Sequence, residues 1–153
     1  MGVTPGPSFM VGTRIGVARR VLLDTGFLVA LVNAKDVDHE ACVAVWKTLR
    51  AQIFSVEGVL VECAHLLQRV RGGTGDAIRI VFESGTQVVP LTSERATRAS
   101  SLMEKYHDTP MDLVDALLVA TAEDENIREI LTLDRRGFET FRISGRTRFR
   151  LFP

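Results

Sequence analysis

Four acidic side chains sit where ionised groups are seldom tolerated. Asp24 follows the apolar run VLL, Glu62 lies inside GVLVECAHLL, Asp115 inside MDLVDALLVATA, and Asp134 follows ILTL. Burying an ionised carboxylate is costly unless it is paired or bound to a cation. Taken singly, each acid could be a helix cap, a turn residue or a surface side chain. Taken together they face no matching set of lysines embedded in apolar runs. Two carboxylates brought to ~5 Å repel by ~3 kcal/mol at an effective dielectric near ~20, so a cluster persists only with protons or cations bound. Oxygen-only ligation, without His or Cys, favours Mg2+ or Mn2+ over Zn2+. Carboxylate-held Mg2+ commonly serves phosphate-ester chemistry. Asp112 lies one helical turn before Asp115 on roughly the same face, a fifth acid within reach.

Other constellations carry less. Leu23-Asp24-Thr25-Gly26 matches the signature of aspartic proteases, but that chemistry needs two such aspartates in an all-β fold, and the chain has no second Asp-Thr-Gly. Phosphoacceptor receiver domains place adjacent acids after the first strand and use a later lysine; here Thr-Gly follows the first acid and only Lys35, Lys47 and Lys105 exist. Asp36-Val37-Asp38-His39-Glu40 reads more simply as a capped helix start than as a metal loop. Cys42 and Cys63 lack CxxC spacing or a clustered His and read as small core residues. His65, three residues from Glu62, is assigned no role, although it could lean toward the acids.

The elements that must position these acids alternate between strand and helix. Arg20 to Leu23 reads as a buried strand ending at Asp24, followed by a short helix through Val32. Asp38 is a candidate cap for a helix from His39 to about Arg50. A strand from Ile53 to Val56 precedes a helix from Val59 to Val70 that carries Glu62. Arg71 to Gly75 reads as a turn before a helix from Asp76 to Glu83. A strand from Gln87 to Leu91 leads to a helix capped by Thr92 or Ser93 and reaching Tyr106, which Asp108-Thr109-Pro110 breaks. Met111 to Asp124 is a nearly all-apolar helix, Glu129 to Leu133 a strand running into Asp134, and Arg148 to Phe152 a last edge strand. Strands separated by helices pair in parallel, and parallel sheets need both faces covered. The expected fold is therefore α/β, a three-layer α/β/α sandwich with a central, mostly parallel sheet. Asp24 and Asp134 then fall at the carboxyl edge, where open α/β sheets bind ligands.

At 153 residues the chain has the length of one domain, and its 46% apolar and 25% charged residues suffice for a core, which excludes disorder and a disulfide-stapled miniprotein. Residues 1–19, rich in Gly and Pro, read as a flexible leader ahead of a single domain over 20–153. The longest apolar-rich stretch, Val21 to Val32, is too short for a membrane span and is broken by Asp24, so a cytoplasmic location is expected. Basic and acidic residues balance at 19 each, so bulk charge argues for no polyanionic partner. The charge is unevenly placed, however. Arg135, Arg136, Arg142, Arg146, Arg148 and Arg150 face only Glu139 across 135–153, and Arg135 and Arg136 adjoin Asp134, where guanidinium forks could hold flanking phosphates.

The stretches VLLDTGFLVALV, VEGVLVECAHLL, PMDLVDALLVATAEDENI and ILTLDRRGFETFR, in this order over residues 20–153, resemble the PIN-domain family, in particular the toxin ribonucleases of bacterial VapBC toxin–antitoxin pairs. The resemblance implies a PIN fold and a Mg2+- or Mn2+-dependent endoribonuclease acting on single-stranded RNA. It places the family's acidic quartet on Asp24, Glu62, Asp115 and Asp134, all four as catalytic residues. Asp24, Asp115 and Asp134 would be metal ligands, Glu62 a ligand or a base, and Asp112 an aid to a second metal. Thr25 and Thr132 match the hydroxyl residues beside the first and last acids, where they would orient the carboxylates. The implied reaction is in-line hydrolysis of a phosphodiester, with attacking and departing oxygens both stabilised. An antitoxin protein is the implied partner, expected to lay a cationic segment over the acids. Homodimerisation is implied as well, with helices 39–50 and 59–70 as candidate surfaces. A PIN nuclease of RNA processing, or a catalytically silent PIN scaffold, would fit the same residues.

Overall fold

The computed structural model describes residues 18–153, so the leader expected over 1–19 falls almost wholly outside the described residues. Arg19 already joins the fold, its carbonyl accepting the Gln52 N–H at 2.8 Å.

Five strands form one parallel sheet: β1 (Arg20–Leu23), β2 (Gln52–Val56), β3 (Gln87–Val89), β4 (Glu129–Leu131) and β7 (Arg150–Phe152), in the order β3-β2-β1-β4-β7. The helices α1 (Thr25–Val32) and α2 (His39–Thr48) connect β1 to β2, and α3 (Glu57–Leu66) and α4 (Gly73–Glu83) connect β2 to β3. The chain then crosses back over the sheet through α5 (Ser93–Lys105) and α6 (Leu113–Glu125) to reach β4 on the other side of β1. Right-handed crossovers that step first one way and then the other put the two helix groups on opposite faces. That yields the expected α/β/α layering. Among the described residues no helix is long and apolar enough to cross a membrane.

The reversal of strand order makes a switch point between β1 and β4, where the crevice of an open α/β sheet opens. Asp24 leaves β1 there and Asp134 follows β4, and the two ends are tied by the Asp24 N–H bonding the Leu131 carbonyl at 3.0 Å. The floor is apolar on all sides. Leu22, Leu23, Ile130 and Leu131 are fully buried, and α6 is buried continuously from Ala116 to Ala122. A helix apolar all round is stable only when packed on several sides, and α6 packs on α5 and β2.

Several boundaries differ from the sequence reading. The helix expected over 59–70 spans Glu57–Leu66, and α4 begins at Gly73 rather than at Asp76. Gly72 adopts a positive φ of 72°, and an added Cβ at Gly73 would stand 3.0 Å from the Leu67 and Val70 side chains. The connection between the helices is therefore the six residues 67–72 rather than the five-residue turn read at Arg71 to Gly75. The helix expected from Met111 begins at Leu113, because Asp112 caps it. Asp38 precedes α2 but its side chain makes no capping bond; its N–H instead donates to Asp36 Oδ1 at 2.9 Å. Three elements were not anticipated: α7 (Arg135–Thr140) and the antiparallel hairpin of β5 (Arg142–Ile143) and β6 (Thr147–Arg148). The hairpin turns at Ser144 and Gly145, both at positive φ, as tight hairpin turns require.

Candidate active site

Asp24 is the N-cap of α1 and is only 6% exposed. Its Oδ1 accepts the Thr25 N–H at 2.7 Å and its Oδ2 accepts the Thr132 hydroxyl at 2.6 Å. The Thr132 hydroxyl also accepts the Asp134 N–H at 3.0 Å, so one side chain links the residues that leave β1 and β4. Burial pushes the Asp24 carboxyl up to about 6; the Thr132 and Thr25 hydrogen bonds oppose this, and the charges of Asp134 and Glu62 add to it.

Glu62 reaches the same place from α3, where its Oε2 accepts the Thr25 hydroxyl at 2.6 Å. Thr25 and Thr132 thus each hold a carboxylate by direct hydrogen bond. Asp115 approaches from the first turn of α6. Its Oδ2 accepts the Asp112 N–H at 3.2 Å while Asp112 Oδ1 accepts the Asp115 N–H at 2.8 Å, a reciprocal capping box. Burial raises the Asp115 carboxyl to about 8, with further contributions from the charges of Asp112, Asp24 and Asp134, opposed by the Asp112 N–H bond. Asp112 itself is exposed at the helix end.

Asp134 caps α7, its Oδ1 accepting the Gly137 N–H at 3.0 Å. Gly137 leaves room for the Asp134 carboxylate in that capping position. A Cβ there would run into Asp134 Oδ2 and stand 3.1 Å from the Phe141 ring. Sequence reasoning passed over Gly137, whose only signal is a glycine three residues after an acid. It also passed over Ser55, a buried hydroxyl in the apolar strand IFSV that donates to the Leu23 carbonyl at 2.8 Å. Cys63 is core, as read, and burial together with the Asp24 and Glu62 charges pushes its thiol up to about 12.

The acids therefore gather around the β1–β4 switch point and feel one another's charge. Among the described residues, no three His, Cys, Asp or Glu side chains are already arranged to hold a metal ion. The donor chemistry nonetheless fits a hard divalent cation. The set is all oxygen, and burial and mutual repulsion disfavour the ionised forms of Asp24 and Asp115, two costs that a cation would relieve.

The two arginines beside Asp134 differ. Arg135 is engaged, donating to the Pro153 carbonyl at 2.7 Å and pairing with Glu139 at 3.5 Å. The Arg136 guanidinium has no hydrogen-bond or ion-pair partner among the described residues, and Arg136 borders a small cavity of about 70 Å³ with Asp134, Thr109 and Pro110. Arg142 caps the carbonyls of Glu139, Thr140 and Phe141, and Arg150 pairs with Glu129. Much of the basic tail is thus structural.

Beside the acids, Glu62, His65 and Asp112 line a cleft of about 550 Å³ together with Val61 and Leu66. Through Val61 it adjoins an apolar groove of about 210 Å³ between α3 and α6, lined by Gly58, Leu91, Leu113 and Leu117. Val61, Leu66, Leu91 and Leu113 are each at least half exposed. Of the two helices considered for self-association, only α3 exposes large apolar side chains.

A parallel sheet of order β3-β2-β1-β4-β7 with acids at its switch point defines a class, and the chain belongs to the PIN domain family, whose model matches residues 21–143. The chain is similar to the ribonuclease VapC26 of Mycobacterium tuberculosis, 28% identical over 136 residues that cover 87% of this chain and all of the relative. Among solved structures, it resembles M. tuberculosis VapC20, described as a toxin cleaving the sarcin–ricin loop. That match has a TM-score of 0.70 at 24% identity over 76% of this chain and 92% of the other. It also resembles a toxin–antitoxin complex from Klebsiella pneumoniae, with a TM-score of 0.61 at 17% identity over 79% of this chain and 92% of that one. Both structural likenesses concern the fold.

Proposed function

We propose that this protein is a Mg2+- or Mn2+-dependent endoribonuclease of the VapC toxin type, hydrolysing phosphodiester bonds of single-stranded RNA. The observation that carries the reading is the meeting of Asp24, Glu62, Asp115 and Asp134 from four separate elements at one switch point, where burial and like charge raise Asp24 and Asp115. Family membership and the similarity to a ribonuclease support the same reading.

Asp24, Asp115 and Asp134 would hold the ion, with Asp112 as an additional ligand. When bound, such an ion activates water and stabilises the departing oxygen. The protein's own groups do the rest. Thr132 fixes Asp24 and, through the Asp134 N–H, sets the spacing of the two strand-end acids. Thr25 holds Glu62 with one oxygen and leaves Glu62 Oε1 without a bond among the described residues, free to take the proton of an attacking water. Arg136, rather than Arg135, is the guanidinium available to grip a flanking phosphate.

The partner we propose is an antitoxin whose segment lies in the α3–α6 groove, its apolar side chains on Val61, Leu91 and Leu113 and one cationic side chain reaching the Glu62–Asp112 cleft. The continuity of apolar groove and acidic cleft supports that arrangement. A second copy of this chain in the groove is the other occupant, and sedimentation of the free protein and of its mixture with the partner distinguishes them.

Cleavage of single-stranded RNA by the purified protein tests the function. Activity should require Mg2+ or Mn2+, stop with EDTA and disappear in Asp24→Asn. Undiminished cleavage by folded Asp24→Asn, free of contaminating nuclease, would refute the assignment.

A further inference from the structure

Asp24 departs from β1 at the point where the sheet ceases to hold the chain. The β1–β2 ladder ends at the pair Leu22↔Phe54, one residue short of Leu23. Beyond it, the Ser55 hydroxyl from β2 donates to the Leu23 carbonyl at 2.8 Å, and Ser55 is 2% exposed. Ser55 is itself held from the other side, in register with Val88 of β3. On the far side of Asp24, the Cys63 thiol of α3 points at the Thr25 carbonyl at 3.7 Å. The Leu23–Asp24 peptide and the Thr25–Gly26 peptide, which flank Asp24 and its successor, are thus each held by a buried side chain from another element. Asp24's own N–H is held by Leu131.

We infer that Ser55 is a positioning residue: its hydroxyl extends the β1–β2 ladder by one bond and thereby fixes where the Asp24 carboxylate stands relative to Glu62, Asp115 and Asp134. The inference rests on the nuclease reading for its consequence in catalysis, but not for its geometry. A buried hydroxyl in mid-sheet serves packing no better than a small apolar side chain, and it must find an acceptor. This one takes the carbonyl adjoining the most buried acid of the group. A displacement of ~1 Å in a reacting group can cost ~100-fold in rate, so a single bond at this place has leverage.

Ser55→Ala removes the hydroxyl with little change of volume, and Ser55→Thr restores it. For Ser55→Ala the expected results are a fall in kcat of about tenfold, KM for RNA within about twofold of wild type, and Mn2+ affinity weakened about tenfold by calorimetry. Ser55→Thr should recover most of both. A lower melting temperature in Ser55→Ala with kcat and Mn2+ affinity unchanged would assign Ser55 a merely structural role and overturn the inference. Crystal structures of wild type and Ser55→Ala decide the geometry without reference to activity. A shift of the Leu23–Asp24 peptide and the Asp24 carboxylate is expected, and superimposable positions contradict it. If wild type neither cleaves RNA nor binds Mn2+, the nuclease reading fails while the crystal comparison still decides the placement of Asp24. Should Ser55→Thr be too large to fold, the Ser55→Ala measurements stand alone.

Discussion

Replacing Asp24 by Asn should make the protein more stable and destroy its activity. In the folded chain the carboxyl lies at about 6 against an ordinary 3.8, chiefly because of burial. A carboxyl raised in this way binds its proton more tightly when folded than when unfolded. Its favourable contribution is complete below about pH 3.8 and is lost as pH rises through about 6. The loss corresponds to about 3 kcal/mol by pH 8, at 1.36 kcal/mol per pH unit. Asn carries no charge, and its amide oxygen can accept the Thr25 N–H. Its amide nitrogen can donate to the Thr132 hydroxyl once that hydroxyl turns. Urea denaturation in EDTA should therefore show Asp24→Asn gaining on wild type between pH 4 and pH 8 by about 1–3 kcal/mol. The corresponding melting temperatures would diverge by roughly 2–12 °C for a chain of this size. Saturating Mn2+ should narrow the gap at pH 8, because the ion stabilises only the wild-type carboxylate set. Parallel pH–stability curves for the two proteins in EDTA would show that Asp24 is not held at a cost, and the electrostatic argument for a cation would fall with it.

Removing the Thr132 hydroxyl in Thr132→Val deletes a bond that lowers the Asp24 carboxyl, so the acidic limb of the pH–rate profile should move to higher pH, with activity at pH 6 falling more than at pH 8.5. Gly137→Ala should push the Asp134 carboxylate off its capping position and reduce kcat about 10–100-fold, with circular dichroism unchanged. Arg136→Ala should weaken RNA binding and reduce the salt slope by about 0.7, whereas Arg135→Ala should chiefly lower thermal stability; fluorescence anisotropy at several salt concentrations checks both. Leu113→Asp, on the exposed rim of the α3–α6 groove, should keep RNase activity yet escape inhibition by the antitoxin; retained inhibition at saturating partner would move the docking site elsewhere.

The acids and the architecture were readable because both follow from local pattern. A strand of apolar residues ending in a carboxylate, repeated at Asp24 and Asp134, already specifies the edge of a parallel sheet. The strand read at Ile53–Val56 and found at Gln52–Val56, and the cap read at Thr92 or Ser93 and found at Thr92, likewise follow from neighbours in sequence. What escaped depends on contacts across the chain. Arg135 is occupied by Pro153, 18 residues away, and nothing near Arg135 announces that. Ser55 matters because Leu23, 32 residues earlier, offers it a carbonyl. Helix α7 is six residues long and β5 and β6 two each, too short for periodicity to show, though Ser144-Gly145 did carry a turn signal. The apolar stripe of Val59–Val70 outran α3 because Leu67 and Val70 stay packed on the core after the helix has ended, so burial continued where helical geometry did not.

The most direct test of the central claim is a crystal structure grown with Mn2+ near pH 8, read by anomalous scattering. The account requires a peak coordinated by Asp24, Asp115 and Asp134 at the β1–β4 switch point, with the Thr132 hydroxyl still on Asp24. Clear density for these side chains with no Mn2+ among them, at millimolar ion and with the carboxylates ordered, would contradict it.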